Sequence, residues 1–278
     1  MMSESEITAL VYLLDDEDEE VATLVEEKLR SLGEMVIPLL EDRWVNTSFS
    51  PLTQKKIEDI IHELQYKTFY DRMIDWKEQG AKDILEGMWI IATYQYPDLS
   101  LLKLRQEIDQ IYYDVWMEIR EEMHPMDKVR ILNSVIFGKY KFGANTKQFH
   151  AVSNSMINVV LESKKGNPIS LCIIYLLIAQ KLGLPLYGVN LPNLFILTYK
   201  QDKVQFYINV FNKGLVFSRV DIDNYIAQLN IPSNDIFYEP CEPIDIIRRT
   251  LRNMIVAFEK LGEDYKVKEI QQVLDEFI

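Results

Sequence analysis

The chain has 278 residues, of which 48% are hydrophobic, 11% aromatic and 26% charged, a composition that excludes collagenous, intrinsically disordered and membrane classes. The formal net charge of −13 is uneven, because residues 1–42 hold 13 acids, with Asp15 to Glu20 unbroken, against Lys28 and Arg30. Such an acidic module repels phosphate backbones, so nucleic acid is not an expected partner.

From Ile7 to about Tyr140, apolar residues recur at spacings of three and four with no strand signal between them, which predicts successive helices. Leu10, Leu13 and Leu14 form a first apolar stripe; Val21, Leu24, Val25, Leu29 and Leu32 form a second. Gly33 closes that second helix and Pro38 sits early in the next. This pair, with its acidic turn and the ending SLGEMVIPLL, resembles a HEAT repeat, with the helix from Gln54 to Tyr70 as its neighbour. Residues 1–78 are therefore read as one helical module. Further helices are predicted at Ile84 to Tyr94, Leu99 to Glu121 and Met126 to Phe137, bounded by Pro97-Asp98 and His124-Pro125.

Lys139 to Ser155 reads as a long loop, followed by a helix at Met156 to Glu162. The next helix opens at Pro168, whose missing N–H costs nothing in a first turn, and runs to Leu182. It is apolar on nearly all sides, so it belongs in the core. After Gly183-Leu184-Pro185 the pattern turns to β. LYGVNL, LFILTYK, VQFYINVF and LVFSRV are short and rich in branched and aromatic residues, and predict an antiparallel sheet on the Pro168 helix. From Pro243 the chain returns to helix and makes a hairpin about Gly262. The expected class is α+β: a mostly helical first half, a core over residues 79–240 and a helical hairpin over residues 241–278.

Two cysteines, Cys172 and Cys241, cannot form a disulfide framework. They fit a reducing cytoplasm. No run approaches 18 apolar residues, and the N-terminus lacks a basic segment leading into an apolar one, so neither a membrane span nor export by that route is expected. No GxGxxG or GxxxxGK[ST] loop is present, and His62, His124 and His150 have no metal-ligand spacing. No cofactor or metal is expected. His150, after Phe149 in the long loop, is the histidine nearest the expected core.

The stretch KKGNPISLCIIYLLIAQKLGLPLYGVNLPNLFILTY, followed by YINVFNKG, closely resembles the core of the transglutaminase-like proteins of the bacterial SirB family. The resemblance extends through GMWIIATYQYPDL, GANTKQFHAVSNSMINVVLESKKG and the RRTLRNM helix, over roughly residues 80–278. It implies a fold derived from papain-like enzymes, with a nucleophile at the N-terminus of the buried helix and His and Asp on adjacent strands. There a thiolate would gain from the free N–H groups, a histidine would act as base and a carboxylate would hold its tautomer. Carried onto this chain, the nucleophile falls on Pro168, or on Ser170 if the helix is two residues shorter. The histidine position falls on Leu194, with Asn193 beside it, and the aspartate on Asn209. None of these sets makes a triad.

Cys172 lies one turn further along an apolar helix, where a thiol is expected to be inert; Cys241 has acidic Glu242 beside it. The resemblance also places Asn167, Ser170, Asn193, Asn209 and Asn212 at the ancestral cleft, where they suit hydrogen bonding to a peptide backbone or a small polar ligand. The local alternative is that these asparagines serve turns and caps. Three functions follow. The first is a non-catalytic scaffold presenting surfaces to a protein partner. The second is a cysteine or serine hydrolase or acyl transferase using Ser170 or Cys172 with His150. The third is a binder of peptides or small polar ligands.

Overall fold

The computed structural model describes residues 2–47 and 49–277 and divides into two compact units, residues 1–72 and 73–278. The first unit contains α1 (Glu4–Leu13), α2 (Glu19–Leu32), α3 (Ile37–Asn46) and most of α4 (Pro51–Glu78). Its acidic run has a local purpose. Asp18 accepts a hydrogen bond from the Glu20 N–H at 2.9 Å as N-cap, and Glu19 and Glu20 stand in the first turn of α2, where negative charge is favoured. The buried face runs through Ile7 and Val11 of α1 and Leu14 at its C-cap, Ala22, Val25 and Leu29 of α2, then Leu40, Ile57, Ile60 and Leu64. This corrects the two sequence stripes, since Leu13 is 40% and Leu24 66% exposed. The helical period selects residues four and three apart, and those two leucines fall off that face. The fourth helix is longer than expected at both ends, because Pro51 opens it and no breaker intervenes before Gly80, whose φ is +96°.

The second unit opens with α5 (Ile84–Thr93), α6 (Leu101–Trp116) and α7 (Pro125–Asn133), the last continuing as a wider π turn over Ser134–Lys139. A minimal parallel pair follows, β1 (Gly143–Ala144) with β2 (Lys165–Gly166), flanking α8 (Ile157–Ser163). Then come α9 (Pro168–Lys181) and the strands β3 (Leu186–Leu191), β4 (Leu194–Gln201), β5 (Val204–Asn209) and β6 (Leu215–Phe217), an antiparallel meander in sequence order. The chain continues through α10 (Arg219–Gln228), α11 (Pro243–Leu261) and α12 (Asp264–Asp275). The α+β reading therefore holds: α9 is buried from Pro168 to Ala179 and packs on β3 and β4, with α6 against another of its faces.

Two local readings need correction. LVFSRV is a strand only to Phe217, because Ser218 and Asp221 form a reciprocal capping box that starts α10. The long loop also contains β1 and a 3-10 turn at Val152–Ser155. The helical hairpin at the end of the chain packs within the second unit, α11 lying against α5 and α9. Trp76 stacks on Phe277 at 6.3 Å and Tyr94 donates a hydrogen bond to Glu269 at 2.6 Å, so the first and last helical stretches of this unit meet.

One backbone position is tightly constrained. A Cβ on Gly188 would lie 2.6 Å from Phe195 Cζ and 3.0 Å from Cys241 Sγ. The Cys241 N–H donates to the Gly188 carbonyl at 2.8 Å, which holds the approaching segment in place. Gly188→Ala is thus expected to destabilise the protein by about 1–3 kcal/mol through overpacking. A denaturant midpoint equal to that of the parent chain would refute this packing.

Candidate functional site

The first turn of α9 is built by a closed local network. Asn167 is the N-cap: its side chain accepts from the Ser170 N–H at 2.9 Å, and Ser170 Oγ accepts from the Asn167 N–H at 3.0 Å. The same hydroxyl donates to the Asn167 carbonyl at 3.3 Å, and a Cβ on Gly166 would collide with it. Ser170 is therefore 3% exposed and engaged on both its donor and acceptor sides. Pro168 occupies the first helical position, as its fixed φ and absent N–H favour.

Both thiols are held in their neutral form. Cys172 is fully buried with Sγ 3.5 Å from the Phe195 carbonyl, and burial pushes its pKa far above the ordinary thiol value. Cys241 is pushed up to about 12, by burial first and then by the negative charges of Asp245 and Glu242. A thiol held protonated is neither a nucleophile nor a metal ligand.

The remaining positions taken from the resemblance separate. Pro192 and Asn193 form the two-residue turn between β3 and β4, with Asn193 exposed at φ +58°, a conformation asparagine tolerates. Leu194, in the place of a histidine, is partly buried. Asn209 ends β5 and accepts from the Asn212 N–H at 3.1 Å, while Asn212 is exposed in the turn that follows.

A cavity of about 350 Å³ lies at the first turn of α9. It brings together Asn167, Pro168, Asn193 and His150, whereas Ser170, Leu194, Cys172, Asn209 and Asn212 are not among its lining residues. His150 is exposed at its edge and packs edge-on against Phe149, with ring centroids 5.0 Å apart. The cavity also contains residues that sequence reasoning missed: Ser155 from the 3-10 turn before α8, and Arg249 and Asn253 from α11. Arg249 Nη1 donates to the Leu191 carbonyl at 2.6 Å and to the Asn190 side chain. Burial draws its pKa below the ordinary guanidinium value, and neighbouring Arg252 acts in the same direction. The IIRRTLRNM segment marks a helix with three arginines but not which of them reaches the cavity; in the structure Arg249 sits beside the buried Ile246, Thr250 and Leu251. No hydrogen bond joins Ser155 to His150 among the described residues, and among them no group of three His, Cys, Asp or Glu side chains could hold a metal ion. Nor is any helix among them long and apolar enough to cross a membrane.

Residues 102–252, more than half of the chain, match the family model described as the transglutaminase-like superfamily. The chain belongs to that superfamily. Its helix α9 with the β3–β6 sheet is thus the transglutaminase-like core of this protein. Among curated proteins, it is similar to a UPF0162 protein of Xylella fastidiosa, with 33% identity over 127 residues, 45% of this chain and 44% of that protein. It is also similar to a UPF0162 protein of Escherichia coli K12, with 25% identity over 63% of this chain and 66% of that one. Human F-box only protein 21 is 25% identical over 224 residues, 70% of this chain and 35% of that protein. The chain thus spans less than half the length of the first relatives it matches. No solved structure matches.

Proposed function

We propose that this transglutaminase-like protein is non-catalytic and that the cavity at the first turn of α9 binds a segment of a protein partner. The observation that carries this reading is the state of the helix start: Pro168 stands where a nucleophile is required, and the nearest hydroxyl, Ser170, is consumed by its cap. Cys172 lies in the core, where desolvation opposes the thiolate. The amides of Asn167, Asn193 and Asn253 offer donors and acceptors that match a peptide backbone without attacking it. Within the superfamily, GNPISL, LGLP and the following strands favour kinship with the SirB-type proteins, and two unbridged cysteines favour a cytoplasmic setting. The acidic helical unit, HEAT-like in its SLGEMVIPLL ending, is a second surface for the same partner.

The test is chemical. Native protein treated with iodoacetamide and with a fluorophosphonate between about pH 5 and 9 is expected to carry no adduct at Cys172, Ser170 or Ser155 by mass spectrometry. Labelling of any of the three in the folded protein at a rate above that of the free side chain would identify an activated nucleophile and overturn the proposal.

A further inference from the structure

The charge around the cavity is unusual for this chain. The protein has 43 acidic residues, yet the lining carries Arg249 and His150 with no carboxylate. A second cavity, bounded by α5, α6 and α9, differs in that two of its three cations are paired with carboxylates: Arg105 is 2.8 Å from Asp83, which lines the same cavity, and Lys181 is 2.6 Å from Asp109. Among the described residues no carboxylate lies within 4 Å of Arg249 or of Arg252 on the next turn.

Arg249 is also oriented. Its Nη1 is fixed by the Leu191 carbonyl and the Asn190 side chain, while its Nε and Nη2 have no hydrogen bond to protein among the described residues. These two nitrogens form the side-on edge of the guanidinium, two parallel N–H groups at the spacing of a carboxylate's oxygens. Because folding has already ordered the side chain, a ligand meets a prepared fork. The first turn of α9, a helix of 14 residues, borders the same space through Asn167, Pro168 and Ile169, and its positive dipole end adds to the favourable potential.

We propose that the cavity is a carboxylate site in which the Nε–Nη2 edge of Arg249 takes a carboxylate and the amides of Asn167, Asn193 and Asn253 take the groups attached to it. The inference rests on the reading of this cleft as binding rather than reacting, and it names the chemistry that is bound. Two sources supply such a group: the free C-terminus of a peptide and a small organic acid. The cavity volume and the three amides accommodate either.

The experiment is calorimetric titration of the full chain with N-acetyl dipeptides covering every C-terminal residue, each as free acid and as C-terminal amide, at about 1 mM. Acetate, succinate and inorganic phosphate are titrated alongside. Free acids are expected to bind at least about tenfold more tightly than their amides, because the amide leaves the fork without its counter-charge. Tighter binding of peptide acids than of succinate assigns the site to a peptide C-terminus; the reverse assigns it to a free organic acid. Both support the site. Arg249→Gln should abolish the acid–amide difference. Since Arg249 also holds the Leu191 carbonyl, Asn253→Asp and Asn193→Asp provide a second arm: each places a carboxylate in the lining, leaves the Arg249 ties intact and should weaken acid binding about tenfold without moving the thermal midpoint.

Equal binding of acids and amides, binding of phosphate alone, or no binding by any free acid would overturn the carboxylate site. Recovering the peptides for mass spectrometry separates the two proposals. Intact peptides leave the non-catalytic reading standing whatever the affinities, whereas cleaved or transferred peptides defeat that reading even if acids bind.

Discussion

Tyr175→Ala is expected to cost about 3–5 kcal/mol, a large fraction of the stability of an ordinary domain. Tyr175 is fully buried in the middle of α9 and is one of the largest side chains in the core. Its ring lies nearly parallel to Phe137, at 6.3 Å and 27°. Its hydroxyl donates to Asn133 Oδ1 at 3.1 Å and lies 3.4 Å from the Val129 carbonyl. Asn133 in turn donates to the Gly214 carbonyl at 3.1 Å, so one side chain joins the end of α7 to α9 and to the turn before β6. Removing the ring leaves a void that this framework closes only in part. Tyr175→Phe separates the contributions, since it keeps the ring and is expected to cost about 0.5–1.5 kcal/mol for the hydrogen bond alone. Urea midpoints for the two variants provide the check; a loss below about 1 kcal/mol for the alanine variant would contradict the packing of α7 on α9.

The second large effect is alkaline. Cys172, Cys241 and Tyr175 are all held in their neutral forms, each chiefly by burial, so the folded-state pKa of every one is raised. Below the ordinary thiol value of 9.0 the cysteines are neutral in both folded and unfolded chains, and their contribution is fully present. As pH rises further the unfolded chain releases protons that the folded chain retains, so stability falls. Each thiol, Cys172 buried and Cys241 partly so, is expected to remove up to about 1.4 kcal/mol per pH unit, as far as about pH 12 for Cys241. Denaturant titrations between about pH 8 and 11 should show this decline, and Cys172→Ala should make it shallower by one thiol's share, leaving the part that Cys241 and Tyr175 contribute. A parent protein equally stable at both ends of that range would show that the thiols are hydrated.

The parts of the fold that were legible in the sequence are those whose own residues decide them. Helix α9 is apolar on nearly every side, so its burial could be read without reference to any neighbour. The meander was legible because its strands are branched or aromatic and its turns are marked by Asn193, Asp202, Lys213 and Gly214, all at positive φ. By contrast, α10 buries only Ile222 and Ile226, and it begins directly after the strand Leu215–Phe217. Its clear signal was the Ser218–Asp221 box, a spacing that β-like neighbours obscure.

The candidate site divides along the same line. Asn167 and Asn193 flank α9 and the first hairpin, so the order of elements alone draws them together. Arg249 reaches the cavity from a helix that follows the entire sheet, and nothing in its local sequence distinguishes it from Arg248 or Arg252. What separates the three is the Leu191 carbonyl, which Arg249 alone is seen to hold. Asn209 illustrates the opposite case: the resemblance drew it to the cleft, while its own backbone used it as a cap for Asn212.

The meeting of the early and late helices of the second unit bears on how the protein is made. During synthesis α5, α9 and the strands leave the ribosome before α11 exists, with the faces that α11 will cover still bare. The meander can pair from contacts close in sequence, whereas Trp76 must wait for Phe277 and Tyr94 for Phe258 and Glu269. Arg249 and Asn253 arrive on that same late helix, so a nascent chain ending before residue 249 holds the core but only one wall of the cavity.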